Sequence, residues 1–229
     1  MKYKVLAIYV ERENSAVVGV ASVTLEDVFA INQISIVKRE DGTVFASFPS
    51  VRTGEKDLNG KDVYQNIVYP ITKELSEELS EHLVDTYWKI QEEEPAEAEF
   101  VNEQPLTFSV RIKPYQNLEF LRATATLTFS GSLVVKNVRV MEGKNGLYVQ
   151  MPSYKTKEMD ENQKPIYKDY AHPVTAEFRT VLYDAILQEY ERSVEKNKEH
   201  MHSEPEERKE KELSGKENGD KRKRQVKGR

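Results

Sequence analysis

Polar and apolar residues alternate along two long stretches of this chain, and each stretch runs into a helical pattern. The first opens with Tyr3–Val10. In Val17–Leu25, Ala21, Val23 and Leu25 share one face while Ser22, Thr24 and Glu26 share the other, the period of two of a half-covered strand. Glu26-Asp27 makes a turn. Phe29 and Ile31 then share a face, yet the next apolar pair, Ile34 and Ile36, has the opposite parity. Downstream, Leu133 and Val135 followed by Val138 and Val140 repeat that slip. Either a β-bulge shifts the register there, or the strand is buried on both faces.

Asp41-Gly42 and Asn145-Gly146 lie between alternating runs and predict hairpins with type I′ turns. The strands that follow, Val44–Phe48 and Leu147–Met151, stop at Pro-Ser, because proline cannot extend a ladder. Long polar segments come next, Val51–Val68 and Tyr154–Ala171. They are either functional loops or two-stranded flaps clasped by Val63-Tyr64 and Ile166-Tyr167. Tyr69-Pro70 and His172-Pro173 keep the chain extended, and Thr72 and Thr175 are placed to cap helices. The first helix is expected to bury Leu75, Leu79, Leu83 and Tyr87, with Val84 and Trp88 beside them. The second is expected to bury Phe178, Val181, Leu182, Ala185, Ile186 and Tyr190.

The two stretches are copies. From Pro49/Pro152 onward the offset stays at 103 residues without a gap, through Ser50/Ser153, Arg52/Lys155, Tyr64/Tyr167, Pro70/Pro173, Thr72/Thr175 and Tyr87/Tyr190. Two α+β units follow, each an antiparallel β-sheet with a C-terminal helix packed on it. The expected division is 1–91 for the first unit, 92–103 for an acidic linker, 104–195 for the second unit, and 196–229 for a charged tail, helical at first and then disordered.

Charge sharpens this division. The chain of 229 residues carries a net −5. By segment, residues 1–91 hold −4, residues 92–103 hold −6, residues 104–195 hold +1 and residues 196–229 hold +4. Only the tail ends strongly basic, at Lys221-Arg-Lys-Arg224. Cysteine is absent, which excludes disulfides and thiolate chemistry and fits a reducing compartment. Met1–Val10 reads as a strand and not as a signal peptide, and no segment approaches the roughly 20 apolar residues of a bilayer span. A soluble, cytoplasmic protein is expected.

The second copy, Gly146-Leu-Tyr-Val-Gln-Met-Pro-Ser-Tyr-Lys-Thr156, then Tyr167-Lys-Asp-Tyr-Ala-His-Pro-Val174 and a helix, resembles the stage V sporulation protein G family (SpoVG, septation regulator). The likeness covers about Phe108 to Glu195. The first copy is a diverged version that keeps Pro49-Ser50, Arg52-Thr53 and Pro70, with Tyr69 in place of His172 and Asn66 in place of Asp169. The resemblance implies a small α+β domain that forms a homodimer and regulates septation and sporulation by binding DNA and RNA. It further implies that the two units here pair as an intrachain pseudo-dimer in a monomeric chain.

The residues offer little chemistry beyond binding. His82 reads as a boundary residue, and His172 as a hydrogen-bonded structural residue at the loop–helix junction, since no partnered nucleophile accompanies it. His200 and His202 make a weak metal pair. Asp169 and Glu158–Glu161 lack a calcium-loop spacing, and no glycine loop for phosphate appears. No catalysis, cofactor or metal is expected. The candidate nucleic-acid contacts are Arg52, Lys155, Lys157, Lys164 and Lys168 in the long segments, and Arg192, Lys196 and Lys198 after the second helix. The alternative is a regulator that contacts protein partners of the division or transcription machinery and no nucleic acid, which suits near-neutral units and an acidic linker.

Overall fold

Alternating strands need a partner for each apolar face, and the computed structural model, which describes residues 1–11, 13–90, 94–116 and 118–197, supplies one for both copies. The first copy forms β1 (Lys2–Tyr9), β2 (Val17–Leu25), β3 (Phe29–Lys38) and β4 (Val44–Ser47), then a hairpin of β5 (Ser50–Lys56) and β6 (Asp62–Asn66), then β7 (Val68–Pro70) and helix α1 (Lys73–Tyr87). After β8 (Ala96–Val101) the second copy repeats the order. Its strands are β9 (Phe108–Pro114), β10 (Leu121–Phe129), β11 (Leu133–Gly143), β12 (Gly146–Gln150), β13 (Ser153–Met159), β14 (Pro165–Asp169) and β15 (Ala171–Pro173). Residues 176–197 form helix α2. The architecture is α+β with antiparallel sheets and two helices.

The parity slip is a bulge. Ala21 and Val23 of β2 face Ile34 and Ile31 of β3, two residues against three, and Ala125 and Leu127 of β10 face Val138 and Val135 of β11 in the same way. The extra residues are Gln33 and Asn137, with φ of 60° and 61°. The strand is thereby re-aimed so that both apolar pairs reach the core.

The turns differ from expectation. Gly42 and Gly146 take positive φ, but Asp41 and Asn145 do not, so neither hairpin has a type I′ turn. In the first, Gly42 N donates to Arg39 O at 3.0 Å and Arg39 N to Thr43 O at 2.8 Å. Asp41 Oδ1 accepts from Thr43 N at 2.8 Å, an Asx turn that lets aspartate keep an ordinary backbone.

The sheets exchange strands. The first has the order β15-β3-β2-β1-β8 with β4 also on β3, and the second β12-β11-β10-β9 with β7 also on β11. Thus β7 lies on the second copy's sheet and β15 on the first copy's. Asn32 N donates to Tyr170 O and Lys136 N to Ile67 O, both at 2.7 Å, and Val174 N to Val28 O and Ile71 N to Ser132 O, again both at 2.7 Å. Residues of both copies belong to one buried cluster, where the Phe29 and Phe129 rings lie 4.4 Å apart and Phe178 packs edge-on against Phe29 and Phe108.

Both helices are capped as their threonines predict. Leu75 N donates to Thr72 Oγ1 at 3.4 Å and Phe178 N to Thr175 Oγ1 at 3.2 Å. Leu75, Leu79 and Leu83 are buried on α1 and Leu182 and Ile186 on α2, with Tyr87, Phe178 and Tyr190 partly buried against the same core, while Trp88 and Val181 are exposed. Tyr87 lies over Gly19, where a Cβ would come within 2.9 Å of its ring.

The stretch expected to link the units holds a strand. Ala96, Ala98 and Phe100 turn inward between Glu97 and Glu99, and β8 pairs with β1 from Ala7↔Ala96 to Lys2↔Val101. Phe100 stacks on His82 at 3.8 Å, and His82 Nδ1 lies 2.6 Å from the Tyr3 hydroxyl, so His82 is a half-buried packing residue. Burial, then the bond to Glu78, pushes the Tyr3 phenol up. The charged tail lies outside the described residues from 198 onward, and residues 196–197 continue α2.

Candidate nucleic-acid interface

The long polar segments are antiparallel hairpins, β5–β6 and β13–β14. Their tips are built alike. Asp57 Oδ1 accepts from Asn59 N and Lys61 N, and Asp160 Oδ1 from Asn162 N and Lys164 N, all at 2.8 Å. Gly60 and Gln163 occupy the same left-handed position, with φ of 75° and 59°. The Asp160 carboxylate is therefore committed to its own turn, and among the described residues no group of acidic and histidine side chains is placed to hold a metal ion.

The predicted cations fall on three parts of the molecule. Arg52 sits on the first arm, where its guanidinium lies 2.6 Å from Asp62. Lys155 and Lys157 lie on β13 and Lys164 at the tip of the second arm; all three are exposed. Lys168, on β14, faces Glu158 at 3.6 Å. Arg192 is on α2, 3.5 Å from Glu189, and Lys196 is exposed further along that helix. Lys198 lies outside the described residues. The arm cations and the helix cations are thus on separate elements.

Each arm base meets the outer face of the other copy's sheet in a cleft. The first cleft, about 420 Å³, has Leu6, Ile8, Val20 and Ser22 as its floor, with Asn32, Tyr154, Asp169, His172 and the predicted contact Lys168 along its edge. Asn32 Nδ2 donates to Asp169 O at 3.1 Å and lies 3.4 Å from His172 Nδ1. His172 is on β15, paired with Ala30. Burial pushes the Asp169 carboxyl up, opposed by the nearby His172 and Arg179. No hydroxyl nucleophile is paired with His172 in the described hydrogen bonds.

The second cleft, about 530 Å³, is formed by the equivalent positions and has different chemistry: Arg111, Lys113, Thr124, Thr126 and Lys136, with Gln65 from the first arm and Tyr115 at one side. Arg139 is exposed on the same face of β11. Among the described residues none of Arg111, Lys113, Lys136 and Arg139 has a carboxylate within ion-pair distance, whereas Arg122 on β10 is tied to Glu142. Lys136 Nζ lies 5.1 Å from the centre of the Tyr69 ring, and Lys113 Nζ lies 5.6 Å from that of Tyr115.

Sequence reasoning missed this cationic face. Arg111 and Lys113 alternate with Val110 and Ile112, so period two alone puts both on one side. Lys136 and Arg139 are three apart and should point to opposite sides; the bulge at Asn137 brings them together.

A model of the SpoVG family matches the chain over two regions, residues 1–89 and 107–192. A protein described as "Putative septation protein SpoVG" from Caldanaerobacter subterraneus subsp. tengcongensis is 39% identical over 88 residues, which are 38% of this chain and 90% of that protein. One of the same description from Treponema denticola is 40% identical over 84 residues, 37% of this chain and 84% of that protein. Each of these relatives is therefore the size of one unit. Among the described residues no helix is long and apolar enough to cross a membrane.

Proposed function

Because the chain belongs to the SpoVG family, we propose that it is a septation-type regulator that acts by binding DNA or RNA and performs no catalysis. The observation that carries this reading is the cluster of Arg111, Lys113, Lys136 and Arg139 on one sheet face without carboxylate partners among the described residues. Single exposed lysines are ordinary; four cations gathered on one face beside aromatic rings suit phosphate. Arm residues Lys155, Lys157 and Lys164 add exposed positive charge on the second arm, whose base lies over the first cleft, while Arg52 and Lys168 already have anionic neighbours.

The two units act as an intrachain pseudo-dimer in this reading. Its support is reciprocity: each copy lends one short strand to the other's sheet through matching backbone bonds, the relation an isologous dimer interface requires. Units 1–91 and 104–195 then correspond to subunits.

The test is direct. The full chain is titrated with labelled DNA and RNA at several salt concentrations. Affinity should fall linearly on a log–log plot, with a slope of about −0.7 to −0.9 per phosphate neutralised. Lys155→Glu should weaken binding more than Arg52→Glu, because Arg52 is already paired with Asp62. A salt-independent interaction, or none, would overturn the reading. One observation favours the alternative, a protein-contacting regulator: the floor of the first cleft is apolar, with Ile8 42% exposed.

A further inference from the structure

The outer face of the second sheet carries more than charge. Tyr69 on β7 pairs with Val134 and points away from the core, since its neighbour Val68 is fully buried. Tyr148 on β12 pairs with Met141 and is 48% exposed, while the adjacent Val149 is turned inward. Tyr115 follows Arg111 and Lys113 in alternation, and its hydroxyl lies 3.3 Å from Thr124 Oγ1. β7 and β12 both flank β11 on the side away from β10, and β9 lies on the far side of β10. One margin of the face therefore carries Tyr69 and Tyr148, and the opposite margin Tyr115. The cations of β9 and β11 lie between them, separated by Thr124 and Thr126 of β10, whose short side chains keep the surface low.

We propose that this face binds single-stranded nucleic acid, with bases stacked on Tyr69, Tyr115 and Tyr148 and phosphates held by Arg111, Lys113, Lys136 and Arg139. The proposal rests on the nucleic-acid reading above and specifies its strandedness and its surface. Four strands side by side span about 14 Å at about 4.8 Å per spacing. A major groove about 12 Å wide admits a helix or a two-stranded ribbon, so this face is too broad to enter that groove of a duplex. An unpaired strand can lay its bases on the rings, and a four-stranded sheet accommodates two or three of them. Stacking tolerates any base, so the face discriminates by strandedness more than by sequence. The second cleft is the place for this because the matching positions of the first, Leu6, Ile8 and Asn32, carry no charge.

The experiment is fluorescence anisotropy on the full chain with oligo(dT), oligo(U) and a blunt DNA duplex of the same length. Single strands should bind at least about tenfold more tightly than the duplex. Tyr115→Leu and Tyr148→Leu should each weaken single-strand binding by about tenfold without changing its salt slope, and leave duplex binding as it was. Arg111→Gln and Lys136→Gln should weaken both ligands and lower the slope by about one each. Equal affinity for duplex and single strands, or leucine variants that melt and bind as the parent does, overturns the proposal while leaving nucleic-acid binding intact. Absence of salt-dependent binding to every probe overturns both. Should a leucine variant melt early, ultraviolet crosslinking of oligo(dT) to the parent chain decides. Crosslinked peptides containing Tyr69, Tyr115 or Tyr148 support the face, and crosslinks confined to residues 153–169 sink it.

Discussion

The two sheets have the same interior and different exteriors. Ala21, Val23 and Leu25 on one correspond to Ala125, Leu127 and Phe129 on the other, and Ile31, Ile34 and Ile36 to Val135, Val138 and Val140; all are buried. On the outside, Leu6, Ile8, Val20 and Asn32 face the first cleft where Arg111, Lys113, Thr124 and Lys136 face the second. Interior positions are held to volume and polarity by close packing, whereas an outer face is free to change once the frame is made. The copy that departs from the family motif at Asn66 and Tyr69 contributes Tyr69 to the cationic face. The copy with the fuller motif places Lys168, Asp169 and His172 over the apolar-floored one. Divergence of the first copy thus alters the site on the second copy's sheet, because β7 and β15 are exchanged.

The largest expected effect tests whether the interior is one unit. Phe29 and Phe129 belong to different copies and their rings are 4.4 Å apart. Truncating either to alanine should cost about 3–5 kcal/mol. Urea unfolding followed both by circular dichroism and by Trp88 fluorescence should show a single transition that moves to lower denaturant in both variants. Two separable transitions, only one of which moves, would mean that the copies fold independently and that their likeness is all they share.

Charge reversal breaks the exterior side of the comparison. Arg111→Glu together with Lys136→Glu should reduce nucleic-acid affinity by on the order of 30- to 100-fold at moderate salt. Ile8→Glu, at the position equivalent to Lys113, should change it less than about twofold, because no phosphate is held there. Comparable losses from both sheets in filter binding would show that the faces are used alike. The converse construction sharpens the contrast. Leu6→Arg with Ile8→Lys gives the first face the charges of the second and should raise the binding stoichiometry from one strand to two, with the added site weaker by about tenfold because the first sheet has no tyrosine at the position of Tyr69.

Much of the frame is legible in the chain itself. Fixed spacing from Pro49/Pro152 onward announces the duplication and the threonines announce the caps, while the parity slip marks the place of the bulge without separating it from a strand buried on both faces. What escapes is what depends on contacts remote in sequence. Nothing local marks Val68–Pro70 or Ala171–Pro173 as strands of the other sheet, since three residues carry no period. The acidic run hides β8, because its glutamates outweigh the alternation of Ala96, Ala98 and Phe100 until Phe100 is seen against His82. The turn chemistry misleads too: Asp41-Gly42 reads as a type I′ pair, yet the Asp41 side chain caps Thr43 N and leaves only the glycine at positive φ. For the candidate interface, arm lysines stand out as a cluster in the sequence, while Arg111, Lys113, Lys136 and Arg139 are scattered until pairing and the bulge gather them.

The smallest effect concerns Asp169, a half-buried carboxyl at the edge of the first cleft. Asp169 stands where the first copy has Asn66, and burial raises its carboxyl above the ordinary value of 3.8 despite the opposing influence of His172 and Arg179. A carboxyl whose folded value is raised binds its proton more readily in the native state. The native state is therefore penalised once the group must ionise, and stability contributed by the neutral form is lost as pH rises through the folded value. Asp169→Asn removes that penalty. The variant should be more stable than the parent at neutral pH, and the two should converge as pH falls below the ordinary carboxylate value, where both states of the parent are protonated. Thermal melts across that range measure the difference. A variant less stable than the parent at neutral pH would show that the ionised carboxylate is held by His172 and Arg179 more strongly than burial opposes it, and that the charge at this position supports the first cleft.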